Sequence, residues 1–117
     1  ILLFLIFFMP EKISYEDFRK IELRAATILS VEDIIGKDKL YKLQIDLGSE
    51  KRTILAGIKQ VYSKDELIGK QIVVVANLLP ARIAGIESNG MMLAAGEEKV
   101  EAIIVLDKKI PNGTIVR

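Results

Sequence analysis

The residues best placed to touch a ligand are Asn77, Arg82, Ser88 and Met91, gathered in the stretch 72–95, IVVVANLLPARIAGIESNGMMLAA. An apolar run, Ile72 to Ala76, delivers the Asn77 amide to a Pro-bearing loop that carries Arg82, and Ser88-Asn89-Gly90-Met91-Met92 opens a second apolar run. Two core strands thereby hold an amide, a guanidinium, a hydroxyl and a thioether at loop tips. Such an arrangement suits the reading of a ligand by hydrogen bonds. It does not suit catalysis, because no paired acid and base lie nearby.

Composition narrows the chemistry further. The 117 residues contain no Cys and no His, which removes thiolate nucleophiles, disulfides, Cys/His zinc sites and every triad built on imidazole. No cofactor and no metal site is expected. The tightest acidic pairs, Asp65-Glu66 and Glu97-Glu98, read as solvated turn residues, and Asp38 with Asp46 is the only imaginable pair for a metal-dependent nuclease. With 17 basic and 16 acidic residues the net charge is +1, so any polyanion site must be a local patch. Its candidates, among them Lys37, Lys39, Lys42, Lys51, Arg52 and Arg82, concentrate in the first two thirds of the chain. The absence of Cys also fits a reducing, cytoplasmic compartment.

These side chains need a scaffold, and its signals are mostly those of strands. Ser14, with Asp17 three residues on, marks the N-cap of a helix of one or two turns. A long strand follows from Ile21 to Val31. Leu40, Lys42, Gln44 and Asp46 alternate with Tyr41, Leu43, Ile45 and Leu47, the strict period of two that gives a strand one core face. Gly48 to Lys51 turns into a third strand, Arg52 to Ile58. Ser63 with Glu66 predicts a second helical turn. Beyond it, strands are expected over Gln71 to Ala76, over Gly90 to Ala95 with Arg82 to Ile86 as a bulged lead-in, over Val100 to Leu106, and over Thr114 to Val116 after a Pro111-Asn112-Gly113 turn. The expected fold is mainly all-β: a five-stranded oligonucleotide/oligosaccharide-binding (OB) barrel, with one short helix between strands 3 and 4, a short N-terminal helix and a C-terminal strand extension.

Five segments in order resemble the tRNA-binding domain found at the C-terminus of methionyl-tRNA synthetases and in free-standing tRNA-binding proteins. They are Asp17 to Arg24, Asp38-Lys39-Leu40, Leu47-Gly48 with Arg52 to Ile58, Val74 to Leu78, and Ser88-Asn89-Gly90-Met91. The resemblance spans Tyr15 to Arg117. It departs at Ile35-Gly36-Lys37, where many members carry a different turn, and at Ile83-Ala84-Gly85, which lacks a second basic residue. What it implies is tRNA binding by shape, in a homodimer supported by the C-terminal extension, as a β subunit that assists methionyl-tRNA synthetase in trans without catalysis. In that reading Lys39, Lys42, Arg52 and Arg82 supply charge, Asn77 and Ser88 supply directional hydrogen bonds, and Met91 supplies a polarizable apolar contact. All are expected in one cleft, with Asn77 and Ser88 beside Lys39, so that Asn77→Ala or Lys39→Ala weakens tRNA retention without altering thermal unfolding.

Bland alternatives stand beside these roles. Lys42 suits a solvated strand face, Arg24 an ion pair with Glu22 or Glu32, Asn77 a turn, Met91 the core and Gly90 a bulge. The alternative function is that of the related export chaperones, which bind unfolded peptides; Arg82 to Gly85 and Pro111 to Thr114 resemble that branch. Residues 9–117 are read as one domain, with Met9 as the native start. Residues 1–8 then form a non-native or upstream apolar tail, far too short to span a bilayer that needs about 20 residues.

Overall fold

In the computed structural model the described residues are 11–117, so the readings of residues 1–8 and of Met9 lie outside them. Helix α1, Tyr15–Phe18, begins where Ser14 Oγ accepts the Asp17 N–H at 3.1 Å. Acidic Glu16 and Asp17 in its first turn suit the exposed amides of a helix start. The scaffold that follows consists of β1 (Leu23–Ile34), β2 (Lys37–Asp46), β3 (Lys51–Ala56), helix α2 (Lys64–Leu67) and β4 (Gln71–Val75). Six short strands complete the chain: β5 (Ala81–Ile83), β6 (Ile86–Ser88), β7 (Met91–Met92), β8 (Ala94–Ala95), β9 (Ala102–Ile103) and β10 (Ile115–Val116).

The main sheet runs β3-β2-β1-β4-β7, every neighbour antiparallel. Its period-two signal in β2 is obeyed: Tyr41, Leu43, Ile45 and Leu47 are buried, whereas the residues between them are half-buried on the other face. Ile28, Leu43, Ile54, Ile72 and Val74 fill the interior, and Leu67 of α2 is fully buried against them. That single side chain explains the position of the helix between β3 and β4. Glu66 Oε1 accepts the Ser63 N–H at 2.8 Å and fixes the helix start.

β1 is long enough to serve two partners on one edge. Its second half pairs with β2 from Thr27 to Ile34, with a bulge at Leu29, while Leu23 and Arg24 pair with β10. β10 therefore takes over the edge that β2 leaves. The handover is tight: Gly48 and Gly113 have positive φ, and a Cβ on either would stand 2.4 Å from a carbonyl oxygen, that of Asn112 or of Leu47. Only glycine fits. Asn112 Oδ1 accepts from Thr27 Oγ1 at 2.8 Å and from Gln71 Nε2 at 2.9 Å, which latches the C-terminal segment to β1 and β4.

The fold is barrel-type, as expected, but no β-ladder joins β3 to β7. The Asn89 N–H donates to Thr53 O at 2.9 Å and the Leu55 N–H donates to Ser88 Oγ at 3.0 Å, so two bonds bridge the seam instead. Three expected elements are redrawn. Residues 82–86 belong to a separate hairpin, β5–β6, rather than a lead-in to strand five. The run 90–95 breaks at Leu93 into β7 and β8, because the Leu93 N–H bonds Val73 while Leu93 O receives Ile104. Of 100–106 only Ala102–Ile103 pairs as a strand, with one further bridge from Val105 to Ile72.

Candidate nucleic-acid interface

Cross-strand pairing sets which side chains share the outer face of β1, β2 and β3. Glu32, Lys42 and Leu55 form one row, Ser30, Gln44 and Thr53 the next, and Asp46 with Lys51 a third. The β5–β6 hairpin and the segment leading to β7 border this face. Between them lies a groove of about 390 Å³ lined by Lys42, Glu50, Lys51, Arg52, Thr53, Ile86, Glu87 and Asn89. This is the strand 2–3 surface, flanked by the loop after strand 4, on which OB-type barrels take their ligands.

Charge in the groove divides into spent and unspent groups. Arg52 pairs with Ile45 on the inward side of β3, where its Nη1 donates to Ala76 O at 2.6 Å and its Nε to Glu50 Oε1 at 2.7 Å. Its side chain is only 17% exposed, and Glu50 balances its charge. Arg52 thus pins β3 to the end of β4. Lys42 and Lys51 have no carboxylate within 4 Å among the described residues. Their ammonium groups are free for phosphate.

The single cleft expected from the sequence is not what the structure contains. Asn77 is exposed but committed: Oδ1 accepts the Glu22 N–H at 2.8 Å and Nδ2 donates to Lys20 O at 2.7 Å. It lines a different cavity, with α1 and β10. Ser88 is buried, its hydroxyl accepting from Leu55 in the seam and directed at Gly90 O, 3.4 Å away, so it lies beneath the groove rather than in it. Lys39 is exposed and lines a third cleft with Leu40, Gly57, Val61 and Lys99. Long-range pairing explains this separation, since the partners of Asn77 lie 55 and 57 residues away and that of Ser88 lies 33 away.

The remaining expected residues keep their access. Arg82 stands opposite Glu87 on the hairpin without an ion pair among the described residues. Met91, opposite Val75, is 49% exposed while its neighbour Met92 is buried. Gly90 has φ 129°, and a Cβ there would press Val74, Val75 and Ile54 at 3.3–3.4 Å, so it serves the crossing of β7 over the core. Arg24 donates to Glu22 Oε1 and to Gly113 O, both at 2.7 Å. The Arg24 hydrogen bond holds the Glu22 carboxyl below its ordinary pKa. Lys51, one of the scattered cations of the sequence, joins the groove with Thr53, Glu87 and Asn89, which are not among the site residues expected from the sequence. The alternation of β3 and the place of Asn89 in the 88–91 segment were the signals available.

Among the described residues no group of His, Cys, Asp or Glu could hold a metal. A curled antiparallel sheet whose β2–β3 face carries unpaired cations has the architecture of an oligonucleotide-binding-type module. Residues 23–115 match the family described as "Putative tRNA binding domain", and the chain belongs to that family. It is a non-catalytic domain of the methionyl-tRNA synthetase-related kind. The methionine–tRNA ligase of Methanococcus aeolicus is 50% identical over 106 residues, covering 91% of this chain and 16% of that protein. The chain therefore spans about one sixth of the length of that curated relative. Among solved structures, a MetRS-related protein from Pyrococcus horikoshii superposes with a TM-score of 0.86 at 34% identity, covering 92% of this chain and all of that one. The CsaA chaperone protein of Picrophilus torridus superposes with a TM-score of 0.82 at 34% identity, covering 91% of this chain and all of that one.

Proposed function

We propose that this tRNA-binding domain grips tRNA on the outer face of β2 and β3 and assists methionyl-tRNA synthetase in trans, as a β subunit that tethers the substrate. The observation that carries the reading is the groove in which Lys42 and Lys51 stand without carboxylate partners. Arg82 on the hairpin adds a cation beside it, and Lys39 adds one at the separate cleft it lines near the start of β2. Phosphate contacts of this kind give affinity without reading sequence. Met91, Asn77 and Ser88 complete the proposed set: Met91 as an exposed apolar contact, Ser88 by holding the backbone beneath the groove, and Asn77 by tying the end of β4 to the segment between α1 and β1.

Tethering needs no chemistry from the tether. A bound tRNA held near a synthetase acquires an effective concentration on the order of millimolar for a short link, and two sites in a homodimer would strengthen retention. The C-terminal latch around Asn112 would support that dimer, and the compartment would be the cytoplasm. Native gel shifts with total tRNA test the binding. Retention by the parent chain and its loss in the Lys42→Ala/Lys51→Ala double variant are expected; equal retention by both would reject the groove.

The chaperone-like reading has its own support in the CsaA superposition and in the exposed Leu78, Leu79 and Ile83 beside the hairpin. An unfolded peptide competing tRNA away at high salt would favour it.

A further inference from the structure

We propose that the β2–β3 groove reads an unpaired guanine, with Glu87 as the residue that selects it. The inference rests on RNA as the ligand and adds a base preference to shape recognition. It starts from a conflict of charge. Glu87 lines a groove whose Lys42 and Lys51 are placed for phosphate, yet it has no ion-pair partner among the described residues. A carboxylate repels phosphate and accepts only from donors, and Arg82, opposite Glu87 on the hairpin, stands beyond ion-pair distance. Glu50, the other acid of the groove, is already engaged by Arg52. Glu87, exposed at the groove, is thus open to exchange water for a ligand with N–H groups.

Guanine is the base whose Watson–Crick edge presents two adjacent donors, N1–H and the N2 amino group, which a carboxylate accepts together. Adenine and cytosine each set a ring acceptor next to their one amino group, and uracil flanks its single N–H with two carbonyls. A carboxylate disfavours all three. Guanine's remaining edge atom, O6, needs a donor, and besides its cations the groove has two uncharged ones, Thr53 and Asn89. Thr53 Oγ1 accepts from Gln44 Nε2 at 2.8 Å, which leaves its hydroxyl proton to donate outward. The Asn89 side-chain amide makes no hydrogen bond among the described residues, because only its backbone N–H is used in the seam. Ile86 supplies an apolar wall for the ring, and the two lysines take the flanking phosphates. Unpaired RNA bases are commonly read in this manner, by their edges and faces together.

The test is fluorescence anisotropy on five-nucleotide RNAs that carry one central G, A or inosine between uridines, at one fixed salt concentration. The parent chain is expected to bind the G strand about tenfold more tightly than the A strand, as one bidentate contact allows. Inosine, which lacks the N2 amino group, should fall between them. In Glu87→Gln the G-to-A ratio should collapse toward one, since a carboxamide cannot accept from both donors. A parent ratio within twofold overturns the inference, as does an unchanged ratio in the variant. If total tRNA still binds in that case, only the base preference falls. If no RNA binds, tRNA included, the RNA-binding reading falls with it.

Discussion

A hydroxyl does the work of a backbone carbonyl at Ser88. The Leu55 N–H has no strand partner at the open seam, and Ser88 Oγ accepts it at 3.0 Å inside the molecule. Ser88→Ala leaves that donor buried and unsatisfied, at a cost of about 1–3 kcal/mol. Thermal unfolding should show a Tm lower by at least ~4 °C, with tRNA retention intact in the folded protein at low temperature. Asn77→Ala removes two internal bonds, and about 1 kcal/mol of lost stability is expected from it. This replaces the expectation of unaltered unfolding that an exposed loop amide would carry. Lys42→Ala is the converse case: no internal bond is lost, so the Tm should hold while tRNA affinity falls. The sequence announced that residues 77 and 88–91 matter, and the types of Asn77 and Ser88 suited a ligand equally well. What it could not show was the partner, because hydrogen bonds across tens of residues leave no local periodicity.

Elements were legible where one face is buried and the strand is long. β2 wrote its alternation plainly, and the Ser63–Glu66 and Ser14–Asp17 spacings marked both helices. Between 90 and 106 the chain is apolar on residues that end up inside and outside alike, Ile103 buried and Ile104 and Val105 exposed, so period and burial part company. The C-terminal segment is held by backbone approach that no side-chain pattern reports. Gly113→Ala would force a Cβ against Leu47 O and strain a φ of 90°, so β10 should detach. Hydrogen exchange at the Ala25 amide, which donates to Thr114 O at 2.9 Å, should then accelerate while β2 and β3 amides stay protected. Another junction responds to pH. Asp33 of β1 receives Lys64 of α2 at 2.9 Å and Lys59 at 3.0 Å, and these hydrogen bonds, Lys64 first, hold its carboxyl below the ordinary 3.8. A carboxyl lowered in the folded state adds stability above its unfolded pKa and loses it as pH falls through the folded one. Asp33→Asn should therefore be slightly less stable than the parent at neutral pH, a screened and small effect. The two stability curves should converge in acid well below pH 3.8; a constant offset would show that Asp33 acts by packing instead.

At the scale of the molecule the net charge of +1 hides a division of labour among its cations. Of the 17 basic residues, Arg24, Arg52, Lys20, Lys59 and Lys64 are bound to carboxylates, and the other twelve are not, among the described residues. Internal pairs hold the fold, and of the unpaired twelve Lys39, Lys42, Lys51 and Arg82 are the four proposed for a polyanion. That separation makes salt the sharpest probe of the whole assignment. If those four cations each neutralise one phosphate, log affinity should fall with log salt at a slope of about −3. Raising salt from 50 to 200 mM would then weaken tRNA binding roughly hundredfold. Removing Lys42 and Lys51 together should flatten the slope by nearly two, whereas Lys59→Ala and Lys64→Ala, whose charges are already matched by Asp33, should leave it in place. Capture of an apolar peptide would respond little to salt in any of these proteins. A shallow slope in the parent chain would therefore shift the weight from the cationic face to the exposed leucines beside the hairpin.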